Sequence, residues 1–126
     1  MSQVYSDAQY GVEKILIFPS KNLTAATIGS ITLTENIIVT EFGAFVTTAL
    51  TGATTGGIQL RESAGVVSIA ELVMTIPTDV GNTLRQTTML NSSAADSGEV
   101  LLVTVITAGL TGVVVPYVKY KRRFVA

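Results

Sequence analysis

The chain has 126 residues, 48% of them hydrophobic and only 13% charged, with a formal net charge of −1. This length fits one domain with its own core, and the near-zero net charge excludes a general electrostatic footprint for nucleic acid. The absence of Cys and His excludes disulfides, thiolate metal sites and the Ser-His or Cys-His nucleophiles. We therefore expect no enzyme activity, no cofactor and no metal. The low fraction of charged residues also predicts apolar surface that a partner covers.

The first twelve residues predict an N-terminal arm, followed by a single domain over residues 13–126. The arm is polar and contains Gly11. It is either a frayed terminus or a segment that orders on a neighbouring subunit through Val4, Tyr5 and Tyr10. Because it lacks the basic and apolar regions of a secretory signal, we expect assembly in the cytoplasm and no export by the usual route.

Four strands are predicted in the first half of the domain. Residues 14–18 (KILIF) form the first, which Pro19 ends because proline fixes φ and cannot donate to a ladder. Residues 30–34 (SITLT) and 58–62 (IQLRE) alternate apolar and polar positions, as half-buried strands do. Residues 36–50 are too many for one flat strand, so Gly43 predicts a bulge, or a break between two strands, near Phe42.

Residues 65–76 (GVVSIAELVMTI) allow two interpretations. Ser68 and Glu71 match a helical capping box, and a helix face would contain Ile69, Leu72, Val73 and Ile76. A strand would instead place on one side Val66, Ala70, Leu72, Met74 and Ile76. The surrounding β pattern and Pro77 favour the strand, and residues 84–90 (LRQTTML) predict another.

Residues 99–123 contain the longest apolar run. Two segments rich in β-branched residues, 100–107 and 113–120, flank the loop 108–112 with its two glycines, and this predicts a β-hairpin. The uncharged stretch 100–118 and the basic residues after it also resemble a membrane span. Threonine, glycine and proline within the stretch favour strands, so we predict no membrane contact.

Together these segments predict an all-β domain, an antiparallel β-sandwich of about eight strands with a jelly-roll-like topology. Segment 100–107 is apolar on both faces, whereas a free sandwich strand normally has one wet side. This predicts a homo-oligomer.

Two charged clusters remain as candidate sites. Alternation along the last strand places Lys119, Lys121 and Arg123 on one face, opposite a second set of Val118, Tyr120, Arg122 and Phe124. This basic stripe either discourages stray strand pairing or meets acidic groups on a partner. The loop with Asp96, Ser97 and Glu99 could help to hold calcium, but its spacing matches no calcium loop and favours ordinary turn chemistry.

Three stretches carry a family resemblance: residues 45–58 (FVTTALTGATTGGI), 96–101 (DSGEVL) and 107–118 (TAGLTGVVVPYV). They resemble small virion proteins of tailed bacteriophages, most of all the β-sandwich decoration, or cement, proteins on the capsid exterior. The resemblance implies homotrimers bound to the major capsid protein where capsomers meet, stabilising the shell against internal DNA pressure. It assigns no site residues, and the basic ending departs from the family pattern.

The competing class is a carbohydrate- or receptor-binding β-sandwich module of a phage tail or fibre. Its expected mark is a platform of exposed aromatic side chains. The sequence has no Trp and only four Tyr and four Phe.

Overall fold

A computed structural model of the chain describes residues 12–52, 55–63, 68–75, 81, 83–89, 94–106 and 109–123. The described residues form strands and connecting loops, with no helix among them. The strands are β1 (Glu13–Ile17), β2 (Lys21–Asn22), β3 (Thr27–Thr32), β4 (Ile37–Thr51), β5 (Thr55–Glu62), β6 (Ser68–Thr75), β7 (Thr83–Gln86), β8 (Ala94–Ala95), β9 (Val100–Val105) and β10 (Thr111–Arg122).

The strands form two antiparallel sheets. The six-stranded sheet has the order β1-β10-β4-β7, with β2 paired to β10 and β8 paired to β4, and the four-stranded sheet has the order β3-β9-β5-β6. When the two-residue strands β2 and β8 are left aside, the pairing is nested: β1 pairs with β10, β3 with β9, β4 with β7, and β5 with β6. This nested pairing over two sheets is the jelly-roll topology. It confirms the predicted sandwich of about eight strands, to which β2 and β8 are short additions.

The core lies between the two sheets. Alternate residues of β4 and β10 point inward from one sheet, and alternate residues of β5 and β9 point inward from the other. The largest fully buried side chains include Phe42, Ile37, Ile58, Leu60 and Leu101. These apolar positions at a period of two select strands over helices throughout the described chain.

Residues 68–75 confirm the strand interpretation of the ambiguous segment. β6 pairs with β5 from Thr55↔Thr75 to Arg61↔Ser68, with a register shift between Leu60 and Arg61. The shift leaves Ile69 as an extra residue in β6, and both Ile69 and Ala70 are buried. The structure describes no helix long and apolar enough to cross a membrane.

The predicted hairpin at residues 100–120 is wrong. β9 lies in the four-stranded sheet between β3 and β5, whereas β10 lies in the six-stranded sheet between β1 and β4. The connection therefore crosses from one sheet to the other. Leu110 is the physical reason, because this loop leucine is only 1% exposed and fills the core at the end of the sandwich. A loop that closed a hairpin within one sheet would leave such a side chain in water.

The predicted interruption of residues 36–50 takes a different form. β4 is one continuous strand, and Gly43 is regularly paired with Tyr117 of β10. Register shifts against β10 leave extra residues at Thr40 and Thr47, so a bulge does lie close to Phe42 but not at the glycine. These bulges let a 15-residue strand follow the twist of the sheet.

Candidate interaction surface

The outer face of the six-stranded sheet, turned away from the core, is the candidate interaction surface. Several large apolar side chains lie exposed on it: Ile15 is 52%, Ile17 61% and Phe45 41% accessible. Their strand neighbours Leu16, Ala44 and Val46 point toward the core, so strict alternation forces these three outward. These three large apolar side chains are therefore exposed on this face within the described chain.

Strand register divides this face into two halves. In the charged half, Glu13 of β1 lies opposite Lys121 of β10, and Lys119 of β10 lies opposite Glu41 of β4. In the more apolar half, Ile17 lies opposite Tyr117, and Phe45, Val113 and Val115 also point outward. At the edge of this half, Arg85 of β7 lies opposite Gly43. A partner of this face would therefore need both an apolar area and charges of both signs.

A hydrogen-bonded group joins the two halves. The Tyr117 hydroxyl donates to Oε2 of Glu41 at 2.5 Å, and Nζ of Lys119 lies 3.8 Å from the same oxygen. Glu41 is the one buried charged residue in the described part of the chain. Burial, followed by the hydrogen bond to Glu41, raises the pKa of Tyr117 to about 12. Tyr117 therefore remains a protonated donor at any physiological pH.

The three residues of the predicted basic stripe do not share one surface in the structure. Lys119 and Lys121 lie on the outer face, where Lys119 already pairs with Glu41. Arg123 follows the end of β10 and points back across the sheet. Its Nε donates to the Ile37 carbonyl at 3.3 Å, and its Nη2 donates to the Ala95 carbonyl at 3.3 Å. Arg123 thus connects the ends of β4, β8 and β10.

The arginine also forms an ion pair with Asp96, the residue after β8. Arg122, on the opposite side of β10, pairs with Glu35 at 2.8 Å. Three candidate anchors in the N-terminal arm, Val4, Tyr5 and Tyr10, lie outside the described residues.

The loop with Asp96, Ser97 and Glu99 shows the expected turn chemistry. The Glu99 amide donates to the Asp96 carbonyl at 3.1 Å, and the Asp96 amide donates to Oε1 of Glu99 at 2.5 Å. Ser97 donates its amide to Oδ1 of Asn36 at 2.9 Å. Within the described ranges, no three residues of the types His, Cys, Asp and Glu come together as metal ligands.

Glu62, at the end of β5, faces this turn. A hydrogen bond with the Glu99 carboxyl raises the pKa of Glu62 to about 7, with burial and the charges of Glu99 and Asp96 acting in the same direction. Glu62 therefore keeps its proton up to near neutral pH beside this turn.

A second, smaller apolar patch lies on the outer face of the four-stranded sheet. Val73 is 71% and Ile106 48% exposed, and they flank Gly57, which pairs with Val73 and accepts the Ile106 amide at 2.9 Å. Beside Ile106 is a groove of about 400 Å³ whose apolar lining includes Leu23 and Leu110. Exposed apolar side chains therefore occur on both outer faces of the sandwich.

Comparison with known proteins assigns no family: no protein-family model matches the chain, and no curated protein matches it. The surfaces of the molecule are therefore the guide to what it does. Sequence reasoning missed Ile15, Ile17 and Phe45 as surface residues, because residues 15–18 are apolar at every position and only the register shows which of them face the core.

Proposed function

We propose that this chain is a structural virion protein, a capsid decoration or cement protein that binds the outer surface of a phage head as an oligomer. One observation carries the proposal: a jelly roll with large apolar side chains exposed on both of its outer faces. A sandwich that works alone normally keeps its outer faces polar, whereas a protein that is covered from two sides need not.

The mode of binding follows from the surface chemistry. The outer face of the six-stranded sheet has apolar area with a charged half beside it, and the patch at Val73 and Ile106 lies on the other side of the molecule. Each contact is modest in area, so a single copy would bind weakly. Repetition of the same contact over a symmetric shell, by an oligomer with several binding sites, raises the overall affinity by orders of magnitude.

The fold agrees with the proposal by analogy alone, because jelly rolls occur both in viral capsid proteins and in lectins. The resemblance of residues 45–58 and 107–118 to decoration proteins directs the choice toward the capsid. By that resemblance the partner is the major capsid protein, the oligomer is a trimer, and the site is the capsid exterior.

A carbohydrate- or receptor-binding module of a phage tail or fibre is the second candidate. Phe45 and Tyr117 favour it, since they are diagonal neighbours on β4 and β10 and both point outward. Aromatic side chains side by side can stack on sugar rings. Arg85 of β7 lies opposite Gly43 in the same row and could donate hydrogen bonds to a glycan.

Density-gradient sedimentation of particles from the producing cells tests the proposal. An antiserum against the purified chain should detect it in the fraction with intact heads, at a fixed ratio to the major capsid protein, and should label the head surface in electron micrographs. Label confined to the tail, together with binding on a glycan array, would support the second candidate. A chain found only in the soluble fractions would overturn both.

A further inference from the structure

We infer that the outer face of the six-stranded sheet binds an acidic sugar, with the pyranose ring stacked on Tyr117 and the carboxylate paired with Arg85. The inference rests on the second candidate function, the carbohydrate-binding module, and gives that module a site and a class of ligand. It makes no use of the capsid proposal. The observations that carry it are the free face of an aromatic ring, a guanidinium beside that ring and the charge balance of the sheet face.

The ring of Tyr117 supplies the surface for stacking. It lies over the backbone of Gly43, where a larger residue would collide with it, so one face of the ring rests on β4 and the other points away from the sheet. The C–H groups on one side of a pyranose form an apolar surface that packs on such a ring. The hydrogen bond from the Tyr117 hydroxyl to Glu41 fixes the ring before a ligand arrives, which lowers the entropic cost of binding.

Arg85 supplies donors at the edge of this ring. The Tyr117 ring already covers β4, and β7 is the next strand, about 5 Å further on, where Arg85 lies opposite Gly43. Arg85 is exposed and makes no hydrogen bond or ion pair with any described residue. Burial and then Glu41 raise the pKa of Tyr117, and Arg85 acts to lower it, so the guanidinium lies within electrostatic range of the hydroxyl. One sugar residue therefore reaches both side chains.

The charges of the face favour an anionic ligand. The described residues of this face include three cations, Lys119, Lys121 and Arg85, and two carboxylates, Glu13 and Glu41, so one positive charge is left over. Lys119 pairs with Glu41, and Lys121 lies opposite Glu13, which leaves Arg85 as the cation without an acidic neighbour among these residues.

A guanidinium binds a carboxylate through two parallel hydrogen bonds, and this geometry selects the ligand class. Uronic and sialic acids carry a carboxylate on the pyranose ring itself, so the same molecule offers an apolar side to Tyr117 and an anion to Arg85. A nucleotide would also stack and carry negative charge. It is the less favoured ligand because the chain has a net charge of −1, which opposes binding of a polyanion.

NMR titration of the isotope-labelled chain with glucuronic acid, N-acetylneuraminic acid and neutral glucose measures the binding. A single sugar on an open face binds weakly, so the titration extends to about 20 mM. We expect both acids to bind at least about tenfold more tightly than glucose, because only they pair with the guanidinium of Arg85. The amide signals that shift should belong to β4, β7 and β10 and not to the four-stranded sheet.

Substitutions assign the two contacts. R85Q should raise the Kd for both acids to that for glucose. The matched control K21Q removes an exposed cation of β2, whose register partner Val114 is buried, so Lys21 is off the outer face and K21Q should bind like the wild type. Y117L removes the ring and should abolish binding of all three sugars, whereas Y117F keeps the ring and should bind within about threefold of the wild type. Circular dichroism shows whether each variant is folded, and R85Q, at an exposed position, keeps the inference testable if Y117L is not.

The remaining outcomes decide against the inference in different ways. Equal binding of the acids and glucose would overturn the acidic ligand but leave the carbohydrate-binding module standing. No shift with any sugar at about 20 mM, or an unchanged Kd in R85Q, would overturn the site. A thymidine oligonucleotide that displaces the acids and loses affinity in R85Q would replace the sugar by nucleic acid. Sedimentation locates the chain on heads or tails independently, so failure of this site and failure of either proposed function remain distinguishable.

Discussion

The ring of Tyr117 lies over the backbone of Gly43 on the adjacent strand, so close that a Cβ at residue 43 would stand 2.5 Å from Cε2 of the ring. This contact holds the ring flat along β4 and directs its hydroxyl to Glu41 two residues away. Glycine occurs in the middle of the longest strand because its neighbour's side chain needs the space, and no turn is involved.

The variant G43A should therefore be less stable than the wild type by about 1–3 kcal/mol, because the added methyl group displaces the tyrosine ring. Urea denaturation measures the loss. In a Y117A background the same substitution should have an effect below about 0.5 kcal/mol, since the obstructing ring is gone. An equal loss in both backgrounds would show that the glycine serves the backbone and not the ring.

Arg123 should contribute to stability, whereas Lys121 should not. R123Q removes hydrogen bonds to the Ile37 and Ala95 carbonyls and the ion pair with Asp96, so we expect a loss of about 1–2 kcal/mol and a lower Tm. K121Q, two residues earlier and within β10, should melt within about 0.5 kcal/mol of the wild type. Indistinguishable melting of the two variants would show that Arg123 does not hold the strand ends together.

Glu62 gives the chain a pH dependence of predictable sign. Its pKa is raised from 4.5 to about 7 in the folded protein, so the folded state binds the proton more tightly than the unfolded state. The resulting stabilisation is fully present below pH 4.5 and disappears as the pH rises through 7. Urea midpoints between pH 4 and 8 should fall more steeply for the wild type than for E62Q.

The matched control for this experiment is E71Q, a glutamate on the neighbouring strand β6. E71Q should keep the wild-type slope, and E99Q should lose it as E62Q does, because Glu99 supplies the largest part of the effect. A wild-type slope in E62Q would contradict the raised pKa of Glu62.

Leu110 should be the most sensitive residue of the connection between β9 and β10. L110A removes a buried side chain at the end of the core and should destabilise the protein by about 2–5 kcal/mol. I106A truncates an aliphatic side chain in the same connection that is half exposed, and should cost less than about 1 kcal/mol. Equal losses would argue that the loop does not fasten the two sheets.

The sequence predicts the strands well and their partners poorly. Alternation in residues 30–34 and 58–62 is local, so it specifies a strand and its buried face without further information. The two-glycine loop at 108–112 is equally local, but it specifies only that the chain reverses. The sheet to which the next strand belongs depends on where the Leu110 side chain is buried, and that is a property of the whole fold.

The candidate surface was predictable only in part, for the same reason. The basic residues of β10 mark a strand whose outer side is charged at one end. The exposed apolar side chains of the face include Ile15, Ile17 and Phe45, each of which stands among other apolar residues along the chain. Only pairing with β10 shows that these three face outward.

The position of β10 has a consequence for how the molecule is made. It is the last strand of the described chain, yet it lies in the interior of its sheet, between the first strand and β4. Until β10 has emerged from the ribosome, β1 has no neighbour, and β4 exposes a long unpaired edge to other nascent chains. The six-stranded sheet therefore cannot close before β10 emerges, and it closes through the contact most distant in sequence, which favours slow folding. The strand edges left open until then favour a need for chaperones at high expression.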